Sequence, residues 1–246
     1  MRLDDRLLRF RDPDELASYT AARLVDRILA LQATQPAVHV LLATGVIALL
    51  VDHLSRHPNI NEIDAARFHI WWGNENFVDA TDPHRASTQA LSLLHNALPL
   101  LAAHAHTMPQ RSGYADAGEA ALAYAEEIDG TVFDLCLMAM AADGHILSLY
   151  PDHPSLQAAL EAEARVIGVL DAPGPVPEQM SVTVPLLGTA RRIWILASGP
   201  TVADPLSRAL ADDPTLPTTH LEPQCGLLWL ADEAAAARVP TFHCSL

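Results

Sequence analysis

No lysine occurs anywhere in the 246 residues, so all fifteen basic side chains are arginine. That absence excludes Schiff-base chemistry on a lysine and a lysine phosphate ligand; any phosphate must be held by arginine, histidine or main-chain amides. Positive charge is scarce as well: 30 acidic residues leave a formal charge of −15. Phosphate backbones and anionic membranes are bound by clustered positive charge, so neither nucleic acid nor a membrane is expected as a partner. The three cysteines, Cys136, Cys225 and Cys244, have no Cys-x-x-Cys spacing. Cys136 lies in an apolar run, where a reduced thiol behaves as a small hydrophobe, and a reducing cytoplasm is the expected location. Long hydrophobic runs are missing too. The opening Met1 to Arg6 has no apolar core of signal-peptide length, and the longest apolar run, near Val46 to Val51, is too short to span a bilayer. The chain is expected to be soluble and unexported.

What is present is half hydrophobic and 18% charged, enough to bury a full core as one α/β domain over residues 1–246. There is no internal repeat, low-complexity tract or linker. Leu16, Tyr19, Leu24, Ile28 and Leu31 at helical spacing predict an amphipathic helix over Glu15 to Leu31, started by Asp12-Pro13-Asp14 and stopped by Gln35-Pro36. Val38 to Leu42 reads as a strand, Ala43-Thr44-Gly45 as a turn and Val46 to Leu54 as a helix. Phe68 to Trp72 is the next strand, its tryptophans read as packing, and it runs into the polar loop Gly73-Asn74-Glu75-Asn76. Thr88 to Leu101 and Ser112 to Ile128 read as helices, the latter with Asp116, Glu119, Glu126 and Glu127 on its wet face. His104-x-His106, with no third ligand in sight, reads as structural or surface rather than as a metal pair. Ser155 to Arg165 reads as helix, Arg165 to Leu170 as strand, and the proline-crowded Asp171 to Pro177 as a rigid extended loop. Ser181 to Pro185, Arg192 to Ser198 and Cys225 to Leu230 supply further strands, with a helix over Val202 to Ala211.

The stretch Phe133 to Pro154 carries the chemistry. Leu135 to Met140 is an unbroken apolar run of strand length, broken by Ala141-Ala142-Asp143-Gly144 before His145 opens a short segment ended by Pro151. This predicts strand, tight loop, helix. Ligands in open α/β sheets bind beyond the carboxyl ends of the strands, so Asp143 and His145 would face a crevice as an acid/base pair. A helix start at His145 would disfavour the imidazolium, whose ordinary pKa is about 6.5, and keep the ring available as a base.

This block resembles the signature of 6-phosphogluconolactonases, a buried strand leading into Gly-Met-Gly-x-Asp-Gly-His-Thr-Ala-Ser-Leu-Phe-Pro-x-His. Phe68 to Val78 is similar to the family's Val-x-x-Phe-Trp-Gly-Asp-Glu-Arg-x-Val, and Val169 to Met180 to its Pro-Lys-Pro-Pro-x-Arg-Ile. The resemblance implies a three-layer α/β fold, a mainly parallel central sheet with helices on both faces. It also implies lactone hydrolysis on a sugar phosphate in the pentose phosphate pathway, with no metal or organic cofactor. His145 would be the general base, with Asp143 orienting it or the water and Gly144 letting the backbone approach the substrate. His153 would be a structural loop residue.

The resemblance has gaps at the phosphate. The family's Ser-Gly-Gly-Ser-Thr-Pro loop is Ala43-Thr44-Gly45-Val46-Ile47-Ala48 here, leaving Thr44 and Gly45 as its remnants and adding bulk at Val46 and Ile47. Asn76 stands where the family has Arg, beside the retained Glu75. Gly174 and Gln179 stand where it has Lys and Arg. Arg85, which arrives where the family has Ser, is the candidate replacement cation. Each lost charge-assisted contact is worth roughly 1.5–3 kcal/mol. Three functions therefore compete: a 6-phosphogluconolactonase holding phosphate through Arg85 and main-chain amides, a hydrolase of another lactone, and a non-catalytic binding or assembly protein. A sugar-phosphate isomerase-deaminase is a fourth, but Ser148-Leu149-Tyr150-Pro151 replaces the Phe-Asn-Glu-Pro that supplies its extra carboxylate.

Overall fold

Residues 6–240 are described by a computed structural model. The chain opens with β1 (Arg6–Phe10) and α1 (Pro13–Gln32). Asp12 caps α1 by accepting the Glu15 N–H at 2.9 Å, and Pro13 takes the first turn, where its missing N–H costs nothing. There follow β2 (Val38–Leu42), α2 (Val46–Ser55), β3 (Phe68–Trp72), β4 (Asn74–Asn76), α3 (Ala86–Leu94), β5 (Ala105–His106) and α4 (Ala117–Ile128). The second half supplies β6 (Leu135–Ala139), α5 (Pro154–Glu161), β7 (Val166–Val169), β8 (Gln179–Val182), α6 (Val184–Gly188), β9 (Ile193–Ala197), α7 (Ala203–Leu210) and β10 (Leu227–Asp232).

Seven strands form one parallel sheet in the order β1-β10-β9-β6-β2-β3-β5. Every residue of β9 and β10 is buried, as is nearly all of β6. Side chains of alternate residues leave opposite faces, so burial at every position means that both faces are covered by helices and loops. This is the three-layer α/β architecture expected. Trp71 and Trp72 are both buried, as packing residues should be. β4, β8 and β7 form a small antiparallel sheet, so Asn74–Asn76 is a paired strand where a loop was expected.

Several expected boundaries move for local reasons. α3 ends at Leu94 rather than Leu101, since Pro99 bars helical geometry at the residue before it. α4 begins at Ala117, not Ser112, because Asp116 caps it on the Glu119 N–H. α5 stops at Glu161, four residues short of the expected end. The Ser181 to Pro185 strand ends at Val182, and Pro185 instead sits in the first turn of α6. The edge strands β1 and β5 were not foreseen; short and only half-buried, they lack the continuous apolar signature of a central strand.

His104, just before β5, and His106 on β5 belong to a histidine ladder that continues across β3 and β2. His39 and His69 are register partners stacked at 4.7 Å, His104 stacks on His69 at 4.0 Å, and His106 stacks on Trp71 at 3.7 Å. His106 Nδ1 donates to Glu127 at 2.7 Å, leaving its Nε2 to accept from His69 Nδ1 at 3.0 Å. Desolvation, reinforced by the neighbouring rings, holds His69 down to about 4, and His39 is lowered for the same first reason. The unfolded chain therefore binds more protons than the folded one as pH falls below about 6.5. Stability should decline from there down to pH near 4, and His69→Gln should flatten the decline. Urea melts across that range check it; an unchanged slope in the variant would reject the assignment.

Candidate active site

β2 and β6 are adjacent and parallel, and the chain departs from them in opposite directions, β2 to β3 on one side and β6 to β9 on the other. Crevices form where the strand order reverses, beyond the carboxyl ends of the strands. Here that place lies between Ala43-Thr44-Gly45 and Met140 to His145. The two loops are anchored side by side, since the Ala43 N–H donates to Leu137 O at 2.9 Å.

The loop after β6 is a closed turn. Gly144 N–H donates to Ala141 O at 2.9 Å, and Ala141 N–H donates to His145 O at 3.0 Å. Gly144 has φ of +91°, and a Cβ there would lie 2.6 Å from Leu216 Cδ2. The Gly144 N–H is thus held inside the turn, and the side of the residue where a Cβ would stand is packed. Its missing side chain leaves space that Leu216 and Pro205 fill, and its flexibility serves the turn.

Asp143 Oδ1 accepts twice from His145, from the main-chain N–H at 3.1 Å and from ring Nδ1 at 2.7 Å. The first closes an Asx turn, and the second fixes the proton on Nδ1. Nε2 is left with its lone pair, the form a general base needs. The His145 side chain is 29% exposed and that of Asp143 53%, so the pair meets solvent.

No helix starts at His145, contrary to expectation. Residues 145–153 form turns closed by an Ile146–Leu149 bridge, with Leu147 at φ +57°, and α5 begins only at Pro154. Ile146 to Tyr150 are all buried, Ser148 included, so this stretch lacks the wet face that an amphipathic surface helix keeps. The imidazole is governed by Asp143 and by the Tyr150 ring, 4.6 Å away, rather than by a helix dipole. His153 is structural, as expected: its Nδ1 accepts the Ser155 N–H to cap α5, and its Nε2 meets Asp171 O at 3.2 Å.

Three residues that the sequence reading passed over tie the site together. Asn74 Oδ1 accepts the Thr44 N–H at 3.0 Å, while its Nδ2 donates to Thr44 Oγ1 at 3.1 Å and to Ser148 Oγ at 3.3 Å. One carboxamide thus accepts from the Thr44 main chain and donates to two hydroxyls, tying three segments together. Tyr150 OH donates to Gln179 Oε1 at 3.0 Å, and Gln179 Nε2 to Val176 O at 3.1 Å, which links the proline-rich loop to the His145 loop. Burial raises the Tyr150 phenol, partly offset by the Gln179 bond, so it remains a neutral donor. Asn74, Ser148 and Tyr150 all lie within the matched motifs, which was the available signal.

Two substrate-binding expectations are corrected. Glu75 is fully buried, and its carboxylate accepts the N–H groups of Asn76, Ala86 and Ser87 at 2.7–3.0 Å; it is the anchor of the α3 start, not an open ligand. Arg85 is 5% exposed, and its guanidinium donates to the main-chain oxygens of Met108 and Pro109. Desolvation lowers it and Glu75 supports its charge, so it is neither a solvated arginine nor a phosphate clamp. Val46 and Ile47 point into the core, so the bulk expected from them does not enter the crevice. Thr44 and Asn76 remain partly accessible and Gly45 exposed; the Asn76 Nδ2 is held by His84 O at 2.7 Å. Gly45, at φ +85°, starts α2 with no side-chain cap; the Val46 N–H turns back to Ala43 O at 3.4 Å, and the amides that follow it in the first turn are left as donors. Arg111, also unforeseen, lies over the Phe77 ring and 3.7 Å from Glu178 at the β4–β8 edge.

Comparison with known proteins agrees with this fold. A family model described as glucosamine-6-phosphate isomerases/6-phosphogluconolactonase matches residues 11–229. The 6-phosphogluconolactonase of Streptomyces coelicolor is 34% identical over 250 residues, covering 96% of this chain and 95% of that protein. That of Mycobacterium tuberculosis is 33% identical over 245 residues, covering 94% and 97%. The crystal structure of 6-phosphogluconolactonase from Thermotoga maritima superposes with a TM-score of 0.79 over 93% of this chain and 99% of its own, at 18% identity.

Proposed function

Because the chain belongs to the glucosamine-6-phosphate isomerase/6-phosphogluconolactonase family, we propose that it is a 6-phosphogluconolactonase, a carboxylic-ester hydrolase that opens 6-phosphogluconolactone to 6-phosphogluconate. The observation that carries this reading is the Asp143–His145 pair at the β2/β6 switch point, with Nδ1 held by Asp143 and Nε2 left as the base. His145 Nε2 takes a proton from water as the water oxygen bonds to the lactone carbonyl carbon. The tetrahedral adduct then collapses, the ring C–O bond breaks, and the imidazolium returns its proton to the departing ring oxygen. Asp143 stabilises the imidazolium between these steps and keeps the ring aligned.

The phosphate meets few cations. Arg85 is committed to main-chain oxygens and Arg111 faces Glu178, so the proposed contacts are the Thr44 hydroxyl, the uncapped α2 amides after Gly45, and Asn76. Neutral donors bind a dianion less tightly than guanidinium does, so a high KM is expected. Among the described residues no helix is long and apolar enough to cross a membrane. A coupled assay with freshly generated 6-phosphogluconolactone tests the reading. Ring opening well above the spontaneous rate is expected, and no acceleration by folded protein would overturn it.

A further inference from the structure

Among the described residues, five arginines hold no carboxylate or carbonyl oxygen of another described residue: Arg6, Arg23, Arg27, Arg56 and Arg192. All but Arg56 line one groove at the amino-terminal edge of the sheet, where Arg6 opens β1 and Arg192 immediately precedes β9. The groove has two adjoining lobes of about 470 and 430 Å³ that share Arg23, Arg192 and Trp194. Strands of five residues at roughly 3.3 Å each put it about 17 Å from the catalytic loops, at the other end of the sheet.

In a protein with a net charge of −15, four guanidinium groups are gathered around one depression, with Asp134 as the nearest support for the Arg27 cation. Among the described residues of the lining, Asp26 is the single carboxylate. Asp134 is occupied by Arg191 at 3.1 Å, by Gln35 and by the His39 N–H. Arg27 Nε is buried with no acceptor, an uncompensated donor of a kind proteins rarely leave. Desolvation and then the charge of Arg192 both weigh against the Arg27 cation. Arg23 is already set in place, bonded to Tyr19 OH at 2.9 Å and lying 5.5 Å over the Trp194 ring. Each of these features is relieved by one event, the arrival of a multiply charged anion whose oxygens accept from the planar guanidinium forks.

We propose that this groove is a second ligand site, separate from the catalytic crevice, that binds a small molecule carrying two or more phosphate groups. A single dianion would leave the four arginines undercompensated, and the combined volume suits a compact organic phosphate or a short inorganic chain. Recognition rests on arginine charge, so affinity falls steeply with salt.

The test uses the full chain and inorganic triphosphate as the probe, in calorimetry at low salt. Cys225 is an exposed thiol in the same lining, so its alkylation, followed by peptide mass spectrometry, reports occupancy without any substitution. Triphosphate should bind and protect Cys225, saturating 6-phosphogluconate should not displace it, and Arg23→Ala/Arg192→Ala should weaken binding about tenfold or more while lactone hydrolysis continues. Fructose 1,6-bisphosphate in the same assays distinguishes an organic phosphate from an inorganic chain. Absence of heat with both probes, or binding that 6-phosphogluconate displaces and the double variant retains, would overturn the proposal.

Discussion

His145→Ala should lower kcat for lactone opening by about a hundredfold to ten-thousandfold, the usual worth of a positioned acid/base group. The fold should tolerate the change. The ring is part-exposed, its one side-chain hydrogen bond is to the exposed Asp143, and its ring contact is with Tyr150. Surface substitutions of this kind usually move stability by no more than about 0.5 kcal/mol. Because the loss concerns proton transfer in the transition state, it should fall on kcat, with KM nearly unchanged. Asp143→Asn separates the two partners. An amide turned to accept from Nδ1 still orients the ring but no longer stabilises the imidazolium, so a smaller loss is expected. Steady-state kinetics and a melting curve on each variant decide it; a His145→Ala protein with wild-type turnover would remove the mechanism.

Gly144→Ala should destabilise the protein and cost most of its activity, although the added group is one methyl. Its φ of +91° lies in the left-handed region, where an L-residue pays about 1–2 kcal/mol. The new Cβ would also stand 2.6 Å from Leu216 Cδ2 and 3.2 Å from Pro205 Cβ, an overpacking of the kind that costs about 1–3 kcal/mol. Both effects act on the turn that sets Asp143 against His145, so the dyad geometry changes along with the stability. The causes can be separated, because Leu216→Ala removes the steric part and leaves the backbone part. Gly144→Ala/Leu216→Ala should therefore be more stable than the two single costs added together. Strict additivity in urea melts would show that the methyl and Leu216 do not meet.

Much of this arrangement is local and was legible from residue order. Val38–Leu42 and Phe68–Trp72 are strands with the bounds their apolar runs indicate, and α2 follows β2 as the turn at Ala43-Thr44-Gly45 requires. The loop carrying Asp143 and His145 follows the same logic: an apolar run must end, and small residues with a glycine end it at the carboxyl edge of a buried strand. The pairing of Asp143 with His145 spans two residues and was equally readable.

The fates of Arg85 and Glu75 were not. Both are polar and lie near a matched motif, and residue order alone treats them as ligands. Burial decides otherwise, because a buried carboxylate must collect donors and a buried guanidinium acceptors, and those partners come from Ser87 and Met108, whose proximity only the packed fold creates. Asn74 joins loops that follow three different strands, and its bonds to Thr44 and Ser148 cross 30 and 74 residues. The arginine groove is assembled from α1, the start of β1 and the residues before β9 and β10, positions that no periodicity relates. Sequence patterns encode which way a side chain leaves its own helix or strand, and that determined the parallel sheet and the catalytic loop. Which side chains then meet depends on strand order, and strand order is a property of the whole sheet.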